Sequence, residues 1–151
     1  IGLEDEAVEN ICNNKIKSGF IVPANYNCPG QVAVSGEKCA IEELVLRGKE
    51  FGARKVVELK TSGPFHTEKL KAASDKLREE LENIEINNNF TKKVIKNLDA
   101  KEYEKTDDIR DILARHVMSS VRFSKSVENM ISQGVDTFIE IGPRKSIIRF
   151  Y

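Results

Sequence analysis

Two runs of β-leaning residues, FIVPANYN and QVAVSG, stand on either side of Cys28-Pro29-Gly30, and no other feature limits the fold as tightly. Proline presets one turn dihedral and glycine admits a positive φ, so this tripeptide can reverse the chain and pair the two runs antiparallel. Before them, Val8, Ile11 and Cys12 recur at helical spacing after Leu3, with Glu4, Asp5 and Glu6 in the first turn, where the helix dipole favours negative charge. After them, Ile41, Leu44, Val45 and Phe51 mark one face of a second helix that Gly52 stops, and KVVELK reads as a strand ending near residue 60. The order helix, strand, strand, helix, strand is the split βαβ pattern of a ferredoxin-like α+β unit. Its opening strand is missing or truncated, because Ile1-Gly2-Leu3 reads as only the tail of one.

A second block follows. Leu70, Ala73, Leu77, Leu81 and Ile84 form an apolar stripe on a helix of about four turns at 3.6 residues each, and Asn87 to Asn89 break it. KKVIKN has strand character. DDIRDILARHVM carries Ile109, Ile112, Leu113, His116 and Val117 on one helical face, and a further helix holds Val127, Met130 and Ile131 before Gly134. VDTFIEIG then reads as a mostly buried strand. Helices alternating with strands over short connections imply an α/β layer.

Composition excludes several functions. Twenty-four basic and twenty-four acidic residues cancel over 151 residues and are interspersed, so no bulk field draws nucleic acid or an anionic membrane. No apolar stretch is long enough to cross a bilayer, and IGLEDEAVENIC is acidic where an export leader would be basic. Cys12, Cys28 and Cys39 are odd in number and lack CxxC spacing, so neither a disulfide framework nor a metal site is indicated. The expectation is a cytoplasmic protein with no cofactor, no nucleic-acid partner and no membrane partner.

One of only two histidines, His66, sits in SGPFH at the corner between KVVELK and the following helix. A single imidazole without a visible partner is most often a surface or helix-cap residue. A corner stiffened by Pro64 is, equally, a place where a ring can be held at a fixed distance from a group on a neighbouring strand.

Four stretches taken together, ANYNCPGQVAVSG, SGPFHTEKLKAAS, RHVMSSVRFSKSVENMISQGV and TFIEIGPRKSI, resemble in order and separation the latter part of the malonyl-CoA:acyl carrier protein transacylase family. The similarity runs over essentially the whole chain. It implies a ferredoxin-like small subdomain, residues 1–60, and the C-terminal part of an α/β-hydrolase-like acyltransferase domain, residues 61–151. In such enzymes a serine on a GxSxG elbow attacks the malonyl thioester of coenzyme A, a histidine serves as its base, and the acyl group passes to the phosphopantetheine thiol of an acyl carrier protein. The family's PFH histidine corresponds to His66. Phe65 is either a packing residue over the helix it precedes or, by resemblance, a ring that narrows the acyl pocket. Asn25 and Asn27 match family asparagines near the channel mouth, although asparagine beside Pro29-Gly30 is also an ordinary turn former; Gln31 is similarly placed. At His116 related enzymes usually carry glutamine, whose main-chain carbonyl orients the catalytic imidazole. A carbonyl role would survive that change, and the side chain reads as core or half-buried.

The chain also departs from the pattern. Arg144 follows Gly142-Pro143 where a second glycine is usual, and Ser120 and Phe123 replace the proline and tryptophan of the SPVRW segment. There is no GxSxG; Ser35 and Ser62 lack the preceding glycine, and none of the arginines matches the one that grips the malonyl carboxylate. Either the residues belong to a longer polypeptide, whose N-terminal half is then a partner in the chemistry, or the chain is complete and has lost it. The corresponding alternatives in function are a non-catalytic carrier-protein-binding scaffold and a polyketide-synthase-type acyltransferase. RNA binding by a ferredoxin-like sheet lacks a basic face and the aromatic pattern it would need.

Overall fold

The computed structural model describes residues 1–61 and 63–142. The paired runs form β1 (Ile21–Cys28) and β2 (Gln31–Gly36), antiparallel, with Gly30 at φ +75° in the turn. The register slips between Pro23 and Asn25, where proline offers no N–H to the ladder, and again between Tyr26 and Cys28. The first slip frees Ala24. Its carbonyl accepts from Val121 N–H at 2.8 Å, while Tyr26 N–H donates to Val121 O at 2.9 Å. The outer edge of β1 thus takes the segment just before Phe123 as a parallel neighbour, and Ser120 Oγ ties the same segment to Pro23 O at 2.7 Å.

Helix α1 (Asp5–Asn10) runs on into a widened π-helical turn, Ile11–Lys15, closed by Ile16 N–H on Ile11 O. The widened turn brings Ile11, Cys12 and Ile16 into one core with Ile21 and Ala40. Leu3, Val8, Val34, Leu44 and Phe51 pack around it, the last two from the face that periodicity assigns to α2 (Lys38–Arg47) and the residues after it. Glu43 on α2 is acceptor to the N–H groups of Lys17 and Ser18, at 3.0 Å each, and fixes the entry to β1.

In the second block a single 3-10 turn, Glu68–Leu70, leads into α3 (Lys71–Glu82), which packs on α4 (Ile109–Val117). Ser74 Oγ donates to Ala114 O at 2.6 Å, and Arg110 reaches the carbonyls of Leu81 and Ile84 at the end of α3. The long connection between α3 and α4 is pinned by Lys96, buried and paired with Asp107 at 3.0 Å and Asp99 at 3.5 Å. Helix α5 (Phe123–Ser132) ends at Gly134, whose φ is +91°. No helix among the described residues is long and apolar enough to cross a membrane.

Three expected strands are corrected. Residues 55–60 and 135–142 join no ladder among the described residues, and KKVIKN yields only an isolated bridge from Ile95 to Glu102. A strand requires a neighbour for its N–H and C=O groups, and side-chain pattern alone does not provide one. The start of 55–60 has a neighbour, although it forms no ladder. Ile1 N donates to Lys55 O at 2.9 Å, Ile1 O accepts from Arg54 and Lys55 N–H, and Gly2 N–H donates to Gly30 O at 2.7 Å. VDTFIEIG is not buried either, since Ile139 is 81% and Ile141 94% exposed. Part of the EIGPRK reading, Pro143 and Arg144, lies outside the described residues.

A Cβ at Gly36 would sit 2.3 Å from Phe20 O and 2.7 Å from Ile21 Cα, both backbone, so Gly36→Ala is expected to destabilise the chain by about 1–3 kcal/mol in urea unfolding. The amides of Lys17 and Ser18, with Arg47, hold the Glu43 carboxyl down at about 2 against its ordinary 4.5. A depressed carboxylate stabilises the fold fully above its unfolded value and loses that contribution as pH falls from 4.5 towards 2. Acid unfolding followed by circular dichroism should therefore show Glu43→Gln less stable than the parent at neutral pH, with the difference vanishing across that window.

Candidate active site

The corner after residue 61 is built by local bonds. Phe65 N–H donates to Gly63 O at 3.0 Å, and Thr67 Oγ1 donates to Pro64 O at 2.8 Å while accepting from Lys69 N–H at 3.3 Å. Thr67 is 1% exposed and caps the turn that starts the next helix. Between Phe65 and this cap the backbone of His66 is left-handed, φ +57°. That conformation is unfavourable for a residue with a Cβ, by about 1–2 kcal/mol. The Thr67 bonds on one side and Pro64 on the other hold it there.

The left-handed turn sends the His66 ring towards the last turn of α4. Its Nδ1 lies 3.2 Å from the main-chain oxygen of His116, fifty residues on. A carbonyl only accepts, so Nδ1 carries the hydrogen and donates. Nε2 is then the nitrogen with the lone pair, free to take a proton. The ring is half-buried and borders two cavities, one of ≈ 740 Å³ and one of ≈ 680 Å³.

Asn25, Asn27, Phe65 and His66 all line the larger cavity, together with Gln31. The asparagines lie within β1, two residues apart and half-buried, and the turn itself is made by the residues after Cys28. Their amides take no hydrogen bond from the described residues. Phe65 is 48% exposed, so its ring borders the cavity without being sealed in the core. Met118, Ser119, Ser120 and Arg122 border the smaller cavity on the α4 side.

The ring of His116 is half-buried beside that of His66, with centroids 5.2 Å apart and planes tilted by 35°. Burial pushes its pKa below the ordinary value, and the neighbouring His66 charge acts in the same direction. Gly142 is exposed. Sequence reasoning missed Thr67, although a threonine placed just ahead of Glu68 and a helical stripe is a recognisable cap signal.

A family model described as "Acyl transferase domain" matches residues 2–149. The malonyl CoA-acyl carrier protein transacylase of Bacillus subtilis is 38% identical over 146 residues, which is 96% of this chain and 46% of that relative. The solved malonyl CoA-acyl carrier protein transacylase from Clostridium perfringens superposes with a TM-score of 0.91 at 39% identity, over 98% of this chain and 46% of that one. A malonyl-transacylase solved in complex with a type II PKS acyl-carrier protein gives 0.91 at 35% identity, over 99% of this chain and 48% of that one. The chain thus spans about half the length of the relatives it matches.

Thr67→Val keeps the volume but removes both bonds of the cap. Urea unfolding should show a loss of about 1–2 kcal/mol, and the nuclear magnetic resonance signals of the His66 ring should broaden as the corner loosens.

Proposed function

The chain belongs to the acyl transferase domain family, and from that premise we propose that it supplies the general base and part of the acyl channel of a malonyl-CoA:acyl carrier protein transacylase. The nucleophilic serine is contributed by polypeptide outside these residues. The observation that carries the reading is the bond from His66 Nδ1 to the His116 carbonyl, which leaves Nε2 as the basic nitrogen beside a cavity that also holds Asn25, Asn27 and Phe65.

A serine hydroxyl is a poor nucleophile near neutral pH unless its proton has somewhere to go. His66 Nε2 accepts that proton as the oxygen bonds to the malonyl thioester carbonyl carbon. The tetrahedral adduct collapses, the carbon–sulfur bond breaks, and the coenzyme A sulfur takes the proton back from the imidazolium and leaves as the thiol, so His66 is neutral again before the second half. The second half reverses the order. The phosphopantetheine thiol of the carrier gives its proton to Nε2, its sulfur attacks the serine ester, and the serine oxygen takes the proton back as malonyl-pantetheine departs. The His116 carbonyl keeps the same nitrogen exposed through both halves and steadies the imidazolium each time it forms.

Asn25 and Asn27 offer side-chain amides without partners among the described residues, suited to the amide groups of pantetheine. Phe65 narrows the pocket beside the base. An α-methyl branch on the acyl group would be disfavoured by about 1–3 kcal/mol, a preference and not a barrier. On this reading residues 1–60 are the ferredoxin-like subdomain and 61–151 the latter part of the hydrolase-like domain. The pairing of Ile1 and Gly2 with Lys55 and Gly30 supports a strand position between them. The reaction needs no cofactor beyond its two thioester carriers, and a cytoplasmic setting suits both.

The test is malonyl transfer from coenzyme A to an acyl carrier protein by this chain co-expressed with the serine-bearing N-terminal half of a relative. His66→Ala should lower the transfer rate by about 10²–10⁴. An unchanged rate with intact carrier binding would leave only the scaffold role.

A further inference from the structure

His116 enters the site through two groups, its main-chain carbonyl and its ring, and the transfer chemistry calls on the carbonyl alone. The ring is nevertheless close to the base, at 5.2 Å between centroids. Its Nε2 is buried and finds no hydrogen-bond partner among the described residues.

We infer that the side chain of His116 is a positioning residue for His66, a flat neutral wall that keeps the base on the His116 carbonyl and confines the single proton of the pair to His66. The inference rests on the reading of His66 as the base. It follows from three constraints.

The first is donor counting. A neutral imidazole has one N–H and one lone pair, whereas an imidazolium donates from both nitrogens. Protonating His116 would direct a charged N–H from Nε2 into a space with no acceptor among the described residues, and a buried donor without a partner is costly. The second is charge. His66 becomes positive in each half of the reaction, and a second positive ring at this separation would oppose it. Burial and that same neighbouring charge both push His116 below its ordinary 6.5.

The other charged groups on the surrounding elements do not supply a counter-charge. Arg115 on the same helix reaches Asp111, and Lys71 on α3 is paired with Asp75. Across the smaller cavity Lys96 is matched by Asp99 and Asp107, while Arg122 lies over the Tyr26 ring. Glu68 starts the turn after the corner and also borders that cavity. Among all of these, His66 alone acts on His116 through its charge.

The third constraint is rotational. The bond between a histidine Cβ and its ring has a broad torsional preference, so one hydrogen bond at 3.2 Å leaves the ring room to swing. A planar neighbour tilted by only 35° closes that arc on one face.

The test uses the full chain labelled with nitrogen-15 at histidine, its two imidazoles followed by long-range proton–nitrogen spectra from about pH 8.5 to about pH 5. His66 is expected to hold the Nδ1–H tautomer, and His116 to keep the nitrogen shifts of a neutral ring while the pair takes up its first proton. His116→Phe, which retains a flat wall, should preserve the His66 tautomer; His116→Ala should convert it to a mixture of tautomers. The inference is overturned if the first proton goes to His116, or if His66→Ala leaves His116 titrating as before. It is also overturned if His116→Ala leaves the His66 tautomer unmixed. Because these spectra require no transfer activity, their failure is separable from a failure of the base assignment, which the rate of His66→Ala reads.

Discussion

One hydrogen bond, from His66 Nδ1 to the His116 carbonyl, decides what this chain can contribute to chemistry. It joins a corner in one part of the sequence to the end of a helix fifty residues later, and it selects which ring nitrogen is left basic. Much of the second block serves to place that carbonyl. Ser74 and Arg110 fix α4 against α3, so the last turn of α4 presents the His116 carbonyl, which also accepts from Ser119 N–H at 3.3 Å, towards the corner. A helix C-terminus is the negative end of its dipole, which suits an imidazole that becomes positive when it accepts a proton.

The corner opposes its own local preference. A left-handed histidine is less stable than an extended one, and only packing and hydrogen bonds around it can reverse that order. Thr67 provides two such bonds from a fully buried position, which is why a small hydroxyl next to His66 carries as much structural weight as the proline before it. The hairpin contributes from the other side. Pro23 breaks the ladder of β1, the break releases Ala24 and Tyr26 to hold Val121, and the segment leading into α5 is thereby fastened beside the site.

The parts that the sequence made legible are those with short-range causes. Cys28-Pro29-Gly30 marks the turn, helical spacing marks α2 to α5, and the buried face around Ile11, Ile41 and Leu44 follows from period 3.6. KVVELK and VDTFIEIG misled because a strand is a relation between two segments. Their apolar alternation states that a neighbour is wanted, yet among the described residues only Lys55, at the start of KVVELK, meets one, and neither run joins a ladder. At Asn25 and Asn27 the ambiguity between turn former and channel residue came from reading them against Pro29-Gly30 alone. Cys28 still separates Asn27 from Pro29-Gly30, and with the bulged register both asparagines line the cavity. The ring of His116 was legible as half-buried, but no pattern could reveal that its neighbour would be the other histidine, since that contact depends on how the end of α4 packs against the corner before α3.

The most direct measurement of the account is a crystal structure of this chain co-folded with the serine-bearing half of a relative. The account predicts His66 Nε2 within about 3 Å of the serine hydroxyl, with Nδ1 still on the His116 carbonyl. A ring turned away from that serine, or bonded through Nε2 to the protein with Nδ1 facing the cavity, would contradict it.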